Sequence, residues 1–164
     1  MVWGESLWIG LYGFLGLVFG YILTRIAPEE MEVGERLFKL GRNVCLFLIG
    51  IFWFFNVNFV TELALLVVFG MLMGKLLNNL FSVLGLGVGV VSGNLGLVLG
   101  TLVFLIFMFE SGIRWKESGL FFVSLPYVAL LILGISFGKY FDANYVLALV
   151  SGFCWAYAYK SLKN

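Results

Sequence analysis

Hydrophobic residues run along this chain in long blocks, and charge is confined to short segments between them and to block ends, as with Glu62. The blocks cover about residues 7–24, 43–55, 59–74, 119–138 and 144–159, and a longer one fills residues 76–109, with no charge between Lys75 and Glu110. None alternates apolar and polar positions as a lipid-facing barrel strand must. Continuous runs rich in Leu, Phe and Gly predict helices instead, and roughly 18 uncharged residues suffice to cross a hydrocarbon core of about 30 Å. The expected fold is an all-α integral membrane protein, with residues 1–164 forming a single transmembrane helical domain.

Residues 76–109 pose the topological question. As one helix they would be about 51 Å long, far more than a single crossing requires. Ser92-Gly93-Asn94 is a natural break, giving either one broken crossing or two short spans of about 15 residues folded back at the turn. Basic residues arbitrate, because Lys and Arg collect on the cytoplasmic side. Seven spans with the N-terminus outside place Arg25, Arg36, Lys39, Arg42, Lys75, Arg114, Lys116, Lys160 and Lys163 inside and leave Lys139 outside, nine against one, whereas six spans give six against four at best. The expectation is a compact bundle of about seven transmembrane helices in the cell membrane with a cytoplasmic C-terminus; six plus a re-entrant or broken helix is the alternative.

The charged stretch 25–42 reads differently. Pro28 followed by Glu29 and Glu30 predicts a helix start with acids at the positive end of the dipole, and Glu32–Arg36 and Glu35–Lys39 are supporting i,i+4 pairs. This interfacial helix should run on into the second span, with Arg36, Lys39 and Arg42 reaching for the headgroups. Trp3, Trp8 and Trp53 near the outer surface and Trp115 and Trp155 near the inner one predict aromatic belts. Cys45 and Cys154, each inside an apolar run, read as small packing residues.

Residues 13–20 (GFLGLVFG) match residues 93–100 (GNLGLVLG) at six of eight positions, 80 residues apart, and 48–51 with 132–135 and 63–66 with 147–150 align at a spacing of 84. Two parallel repeats, 1–75 and 93–164, linked by a helix over 76–92, would follow, one of the recurring plans of transporters. This three-plus-one-plus-three layout resembles that of the sugar-transporting SWEET proteins, although their proline-glutamine motif has no counterpart here. Gly20-Tyr21-Ile22-Leu23 through Ala27-Pro28-Glu29-Glu30, with the Gly93-Asn94 turn, resembles auxin-efflux-type carriers over less than half of the chain. Neither resemblance assigns a role to any residue.

Composition narrows the chemistry. With 62% hydrophobic and 12% charged residues the lipid bilayer is the implied partner, and ten basic residues mostly committed to topology leave no patch for nucleic acid. There is no histidine, no HExxH, no Gly-x-Ser-x-Gly and no phosphate-binding Gly-rich Lys motif, so neither an enzyme nor a cofactor or metal is expected. Glu62 and Glu110 stand at span ends, where water should reach them. A solute path would then rest on the neutral polar groups Asn78, Asn79, Ser82, Ser92 and Asn94 and on the turn at Gly93, with Thr101 and Ser124 as lesser candidates.

Glycines at every fourth position (Gly85, Gly89, Gly93; Gly16, Gly20; Gly96, Gly100) predict close helix packing. A functional reading stands beside it, in which the segment around Gly89 and Gly96 is a hinge that frees backbone groups for a solute in mid-membrane, with Pro126 kinking the sixth span. The leading expectation is a small secondary transporter or channel for a small neutral or weakly charged solute. The alternatives are a non-catalytic subunit that packs with a partner membrane protein or forms a homo-oligomer, and, third, a lipid-modifying membrane enzyme.

Overall fold

The structure, a computed structural model, describes residues 2–56, 61–76, 79–114, 120–140 and 142–163. These residues form an all-helical bundle of α1 (Val2–Ile26), α2 (Pro28–Asn56), α3 (Thr61–Leu76), α4 (Leu80–Val90), α5 (Gly93–Ile113), α6 (Leu120–Phe137), a 3-10 turn (Gly138–Tyr140) and α7 (Ala143–Lys163). Pro28 opens α2 with Glu29 and Glu30 in its first turn, and the expected interfacial helix and second span are one continuous rod. Asp142 starts α7, its Oδ1 accepting from the Asn144 amide at 2.9 Å. Among the described residues two helices, Gly4–Ile26 and Gly93–Ile113, are long and apolar enough to cross a membrane; Leu63–Leu76, Leu80–Val90 and Leu125–Phe137 are shorter apolar helices.

The long central block is interrupted as expected, but unequally. Val91 and Ser92 are extended and Gly93 has φ +66, a left-handed conformation that suits glycine and lets α5 leave in a new direction. The result is 11 residues in α4 and 21 in α5 rather than two similar halves. At about 1.5 Å per residue α4 is only about 16 Å long. Nor do the two halves fold against each other: α4 lies along α6, and α5 lies along α1 and α2.

Helices consecutive in sequence scarcely touch in this bundle. The intimate pairs are α1 with α5, α3 with α7 and α4 with α6, and each is built on glycine. A methyl group added at Gly16 would strike the Phe104 main chain and one at Gly20 the Met108 carbonyl; Gly152 faces Val67, Gly74 faces Ala156, Gly85 faces Tyr127 and Gly89 faces Leu131, mostly backbone against backbone. Positions rise together along both members, so all three pairs are parallel. Small residues permit this approach, and dispersion between the closely spaced main chains then holds the pair. The four-residue glycine spacing is therefore used for packing inside the chain.

Cross-contacts fix the remaining directions. Phe38 reaches Gly112, Arg42 reaches Glu110 and Ser161, and Gly50 meets Trp155, so α2 runs against α5 and α7. Leu131 meets Gly10 while Tyr127 meets Gly13, so α6 runs against α1. Accordingly α1, α3, α5 and α7 point one way and α2, α4 and α6 the other. Arg25, Arg36, Lys39, Arg42, Lys75, Arg114, Lys160 and Lys163 gather toward one end of the bundle, whereas Lys139, in the 3-10 turn, belongs to the opposite end; Lys116 lies outside the described residues.

The helices α3, α7, α2, α5, α1 and α6 follow one another around α4, which is buried on most sides, as an apolar helix without a polar face requires. Among the described residues the ring is open between α6 and the α3–α7 pair. Large apolar side chains face outward, among them Leu15 and Phe19 of α1, Leu65 and Leu72 of α3, and Leu125 and Ile132 of α6.

Two tryptophan expectations need correction. Trp8 is exposed as a belt residue would be, but Trp53 is 3% exposed within the core. Trp155 packs on Gly50 and donates its indole N–H to the Phe47 carbonyl at 3.4 Å, so it joins α7 to α2. Cys45 and Cys154 are free and buried.

Candidate functional site

The residues expected to line a solute path are not brought together. Asn78 lies outside the described residues. Asn79 caps α4, its Oδ1 accepting from the Ser82 amide at 3.4 Å, while Ser92, Gly93 and Asn94 stand beyond the far end of that helix, about 16 Å away. Gly89 and Gly96 are packed, the first on α6 and the second against Ile9 and the Val91 carbonyl. Pro126 sits inside α6, which continues through it as helix. Thr101 is exposed on the outer surface of α5 and returns its hydroxyl to the Leu97 carbonyl at 2.9 Å, and the side chain of Ser124 lies outside the described residues.

The interruption itself is at one end of the bundle rather than at its middle, and its carbonyls are taken within the chain. The Ser6 hydroxyl donates to the Val91 carbonyl at 3.4 Å, and the Gly96 amide to the Ser92 carbonyl at 3.4 Å. Gly93 and Asn94 do contribute to a depression of about 400 Å³ between α1 and α5, with Glu5, Trp8, Ile9 and Leu97.

Two features were not foreseen from sequence. The first is a buried ionic cluster at the basic end. Glu110 is 1% exposed and Arg42 5%, so the expectation that Glu110 is solvated and that Arg42 reaches for headgroups is corrected: both turn inward. Arg42 Nη1 donates to Glu110 Oε2 at 2.5 Å, Arg114 Nε donates to Glu110 Oε1 at 2.7 Å, and the other Arg42 amino group donates to the Ser161 hydroxyl. The Arg42 guanidinium also lies over the Tyr157 ring, 5.5 Å from its centroid. One carboxylate thus joins α2 and α5, and through Ser161 and Tyr157 the tie extends to α7.

With each of its oxygens bonded to a guanidinium, Glu110 is placed as a linker of helices and not as a base facing a substrate. The sequence signal was the i,i+4 spacing of Glu110 and Arg114, together with an arginine standing directly before the apolar run 43–55. Among the described residues no group of three or more His, Cys, Asp or Glu is arranged to hold a metal ion.

The second feature is the gap in the ring. Between α6 and the α3–α7 pair lies a groove of about 460 Å³, with Leu86 and Val90 of α4 as its floor and Leu133, Phe137, Leu66, Val146 and Leu149 in its walls. Tyr145 and Gly134 complete it. The volume falls in the range of small-ligand sites, roughly 300–1,000 Å³.

No family model matches this chain, and comparison with curated proteins and with solved structures likewise gives no match.

Proposed function

We propose that this chain is a multi-pass protein of the cell membrane that crosses seven times, with its N-terminus outside and its C-terminus in the cytoplasm, and that it acts as a small secondary transporter or channel for a neutral or weakly charged solute. The membrane placement is supported by the outward-facing Leu and Phe side chains and by the collection of basic residues at one end. A reporter active only in the cytoplasm is expected to work when fused after Lys163; activity of a periplasm-type reporter there would reverse the orientation.

The observation that carries transport is the division of the bundle at the open seam. The α4–α6 pair is locked on itself through Gly85, Gly89 and Gly134, yet α6 faces α3 and α7 across a groove. On the other side, the Arg42–Glu110–Arg114 cluster holds α2, α5 and α7 as one body. With α4 enclosed by α7, α1 and α5 and α6 held to α1 through Tyr127, the side of α6 that faces the groove is where movement of α6 against α3 and α7 would open a path. The glycine faces that a partner subunit could have used are occupied within the chain, which favours this reading over the scaffold alternative.

The test is flux into phospholipid vesicles loaded with a panel of uncharged polyols, sugars and weak acids. A cross-link between Leu133→Cys and Leu149→Cys, across the seam, should lower the flux of the responsive solute at least tenfold and reductant should restore it. Flux that ignores the cross-link, or none for any solute with the protein inserted, would overturn the proposal.

A further inference from the structure

We infer that the depression between the starts of α1 and α5 binds an organic ammonium group, held between the Glu5 carboxylate and the face of the Trp8 indole. The site stands apart from the seam and does not depend on transport. Its lining joins a carboxylate, an indole and the Asn94 carboxamide to the carbon of Ile9 and Leu97, in about 400 Å³.

Glu5 and Trp8 are three residues apart on α1, so they stand on one face of that helix. Trp8 is 73% exposed, which leaves ring surface for a ligand. Glu5 makes no hydrogen bond or ion pair among the described residues, and every basic residue whose side chain is described belongs to the opposite end of the bundle. The negative charge at this rim is therefore unanswered within the described chain. The walls are fixed before any ligand arrives. Ile9, the floor, is seated on Gly96 and Gly100, and the Ser6 hydroxyl ties α1 to the Val91 carbonyl at 3.4 Å, just ahead of the break.

The cation that suits this lining is one clad in carbon. A calcium ion asks for about six to eight oxygen ligands, whereas the side chains here offer one carboxylate and one carboxamide. An ammonium carrying methyl groups is attracted by the ring quadrupole of an indole and by the carboxylate together, and its methyl groups meet the apolar floor. The first turn of α5 forms the far wall, and Ser92 gives it no side-chain cap, so the positive end of that helix disfavours a cation there. The ammonium is thereby placed on the α1 side, against Glu5 and Trp8.

Choline is the probe for a free ammonium solute, and phosphatidylcholine for the same group on a lipid. Calorimetric titration of the purified chain in a non-ionic detergent should show saturable binding of one choline per chain. Glu5→Gln and Trp8→Leu should each weaken it at least tenfold, as should exchanging the probe's trimethylammonium for an uncharged tert-butyl group. Phe19→Leu, in the other half of α1, should change nothing. Glu5 and Trp8 are both exposed, so these substitutions leave the packing intact. In lipid nanodiscs, choline binding that survives in phosphatidylglycerol and is blocked in phosphatidylcholine assigns the site to a lipid headgroup; binding that survives in both assigns it to a free solute. No choline binding in detergent, loss in both lipids, unchanged affinity in Glu5→Gln and Trp8→Leu, or equal affinity for the uncharged probe would overturn the site.

Discussion

Glu110→Ala is expected to lower stability by about 3–5 kcal/mol, the usual result of removing one partner from a buried charge pair. The carboxylate is the only anion in the described cluster, so its loss leaves Arg42 buried at the meeting of three helices with Ser161 and the Tyr157 ring as remaining neighbours. Arg42→Ala should cost less, because Glu110 keeps Arg114. A combined Arg42→Met and Glu110→Leu change should recover much of the loss, since apolar groups of similar volume often replace a buried pair at little cost. Thermal unfolding in detergent gives the ranking; Arg42→Ala worse than Glu110→Ala would remove Glu110 from the centre of the cluster.

Gly152→Val should be similarly severe for a different reason. Its added carbons would meet the Val67 main-chain carbonyl, and a main chain inside a helix cannot swing aside as a side chain can. Overpacking typically costs about 1–3 kcal/mol where neighbours yield, and this site belongs at or above the upper end. Gly87→Ala, which meets the Val150 side chain at 3.1 Å, should fall in between, and Gly4→Ala, with nothing within 4 Å, should be neutral or gain up to about 1 kcal/mol. The fraction of monodisperse protein after mild heating separates the three, and equal behaviour of Gly152→Val and Gly4→Ala would discard the backbone contact between α3 and α7.

The helices are legible in the sequence because uncharged blocks ended by charge leave few other ways to satisfy the backbone in an apolar setting. The break near Ser92 is legible too, since glycine supplies the positive φ that the turn uses. Its depth is not. How far α4 extends before Val91 depends on where Asn79 caps it, and two asparagines in succession leave that undecided. The partners of the glycine stripes are equally hidden, because a stripe states that something comes close without stating what.

The candidate site was the least legible part. Counting charges by their distance from a span's end treats Arg42 and Glu110 as interfacial, and by depth they are near an end; whether such a residue turns outward or inward is decided by a helix 68 positions away. Asn79 and Asn94 show the converse. Polar groups in an apolar stretch invite a functional reading, and here one caps a helix and the other stands exposed at a bundle end.

The arrangement of α4 bears on how the chain is made. This helix of 11 residues is enclosed mainly by α6, which the ribosome delivers only after the whole of α5, and α1 and α3 likewise wait for α5 and α7. A nascent chain halted before α6 would hold α4 with its glycine face uncovered. Translation order therefore sets a late step: the bundle closes around α4 only when α6 and α7 have been added.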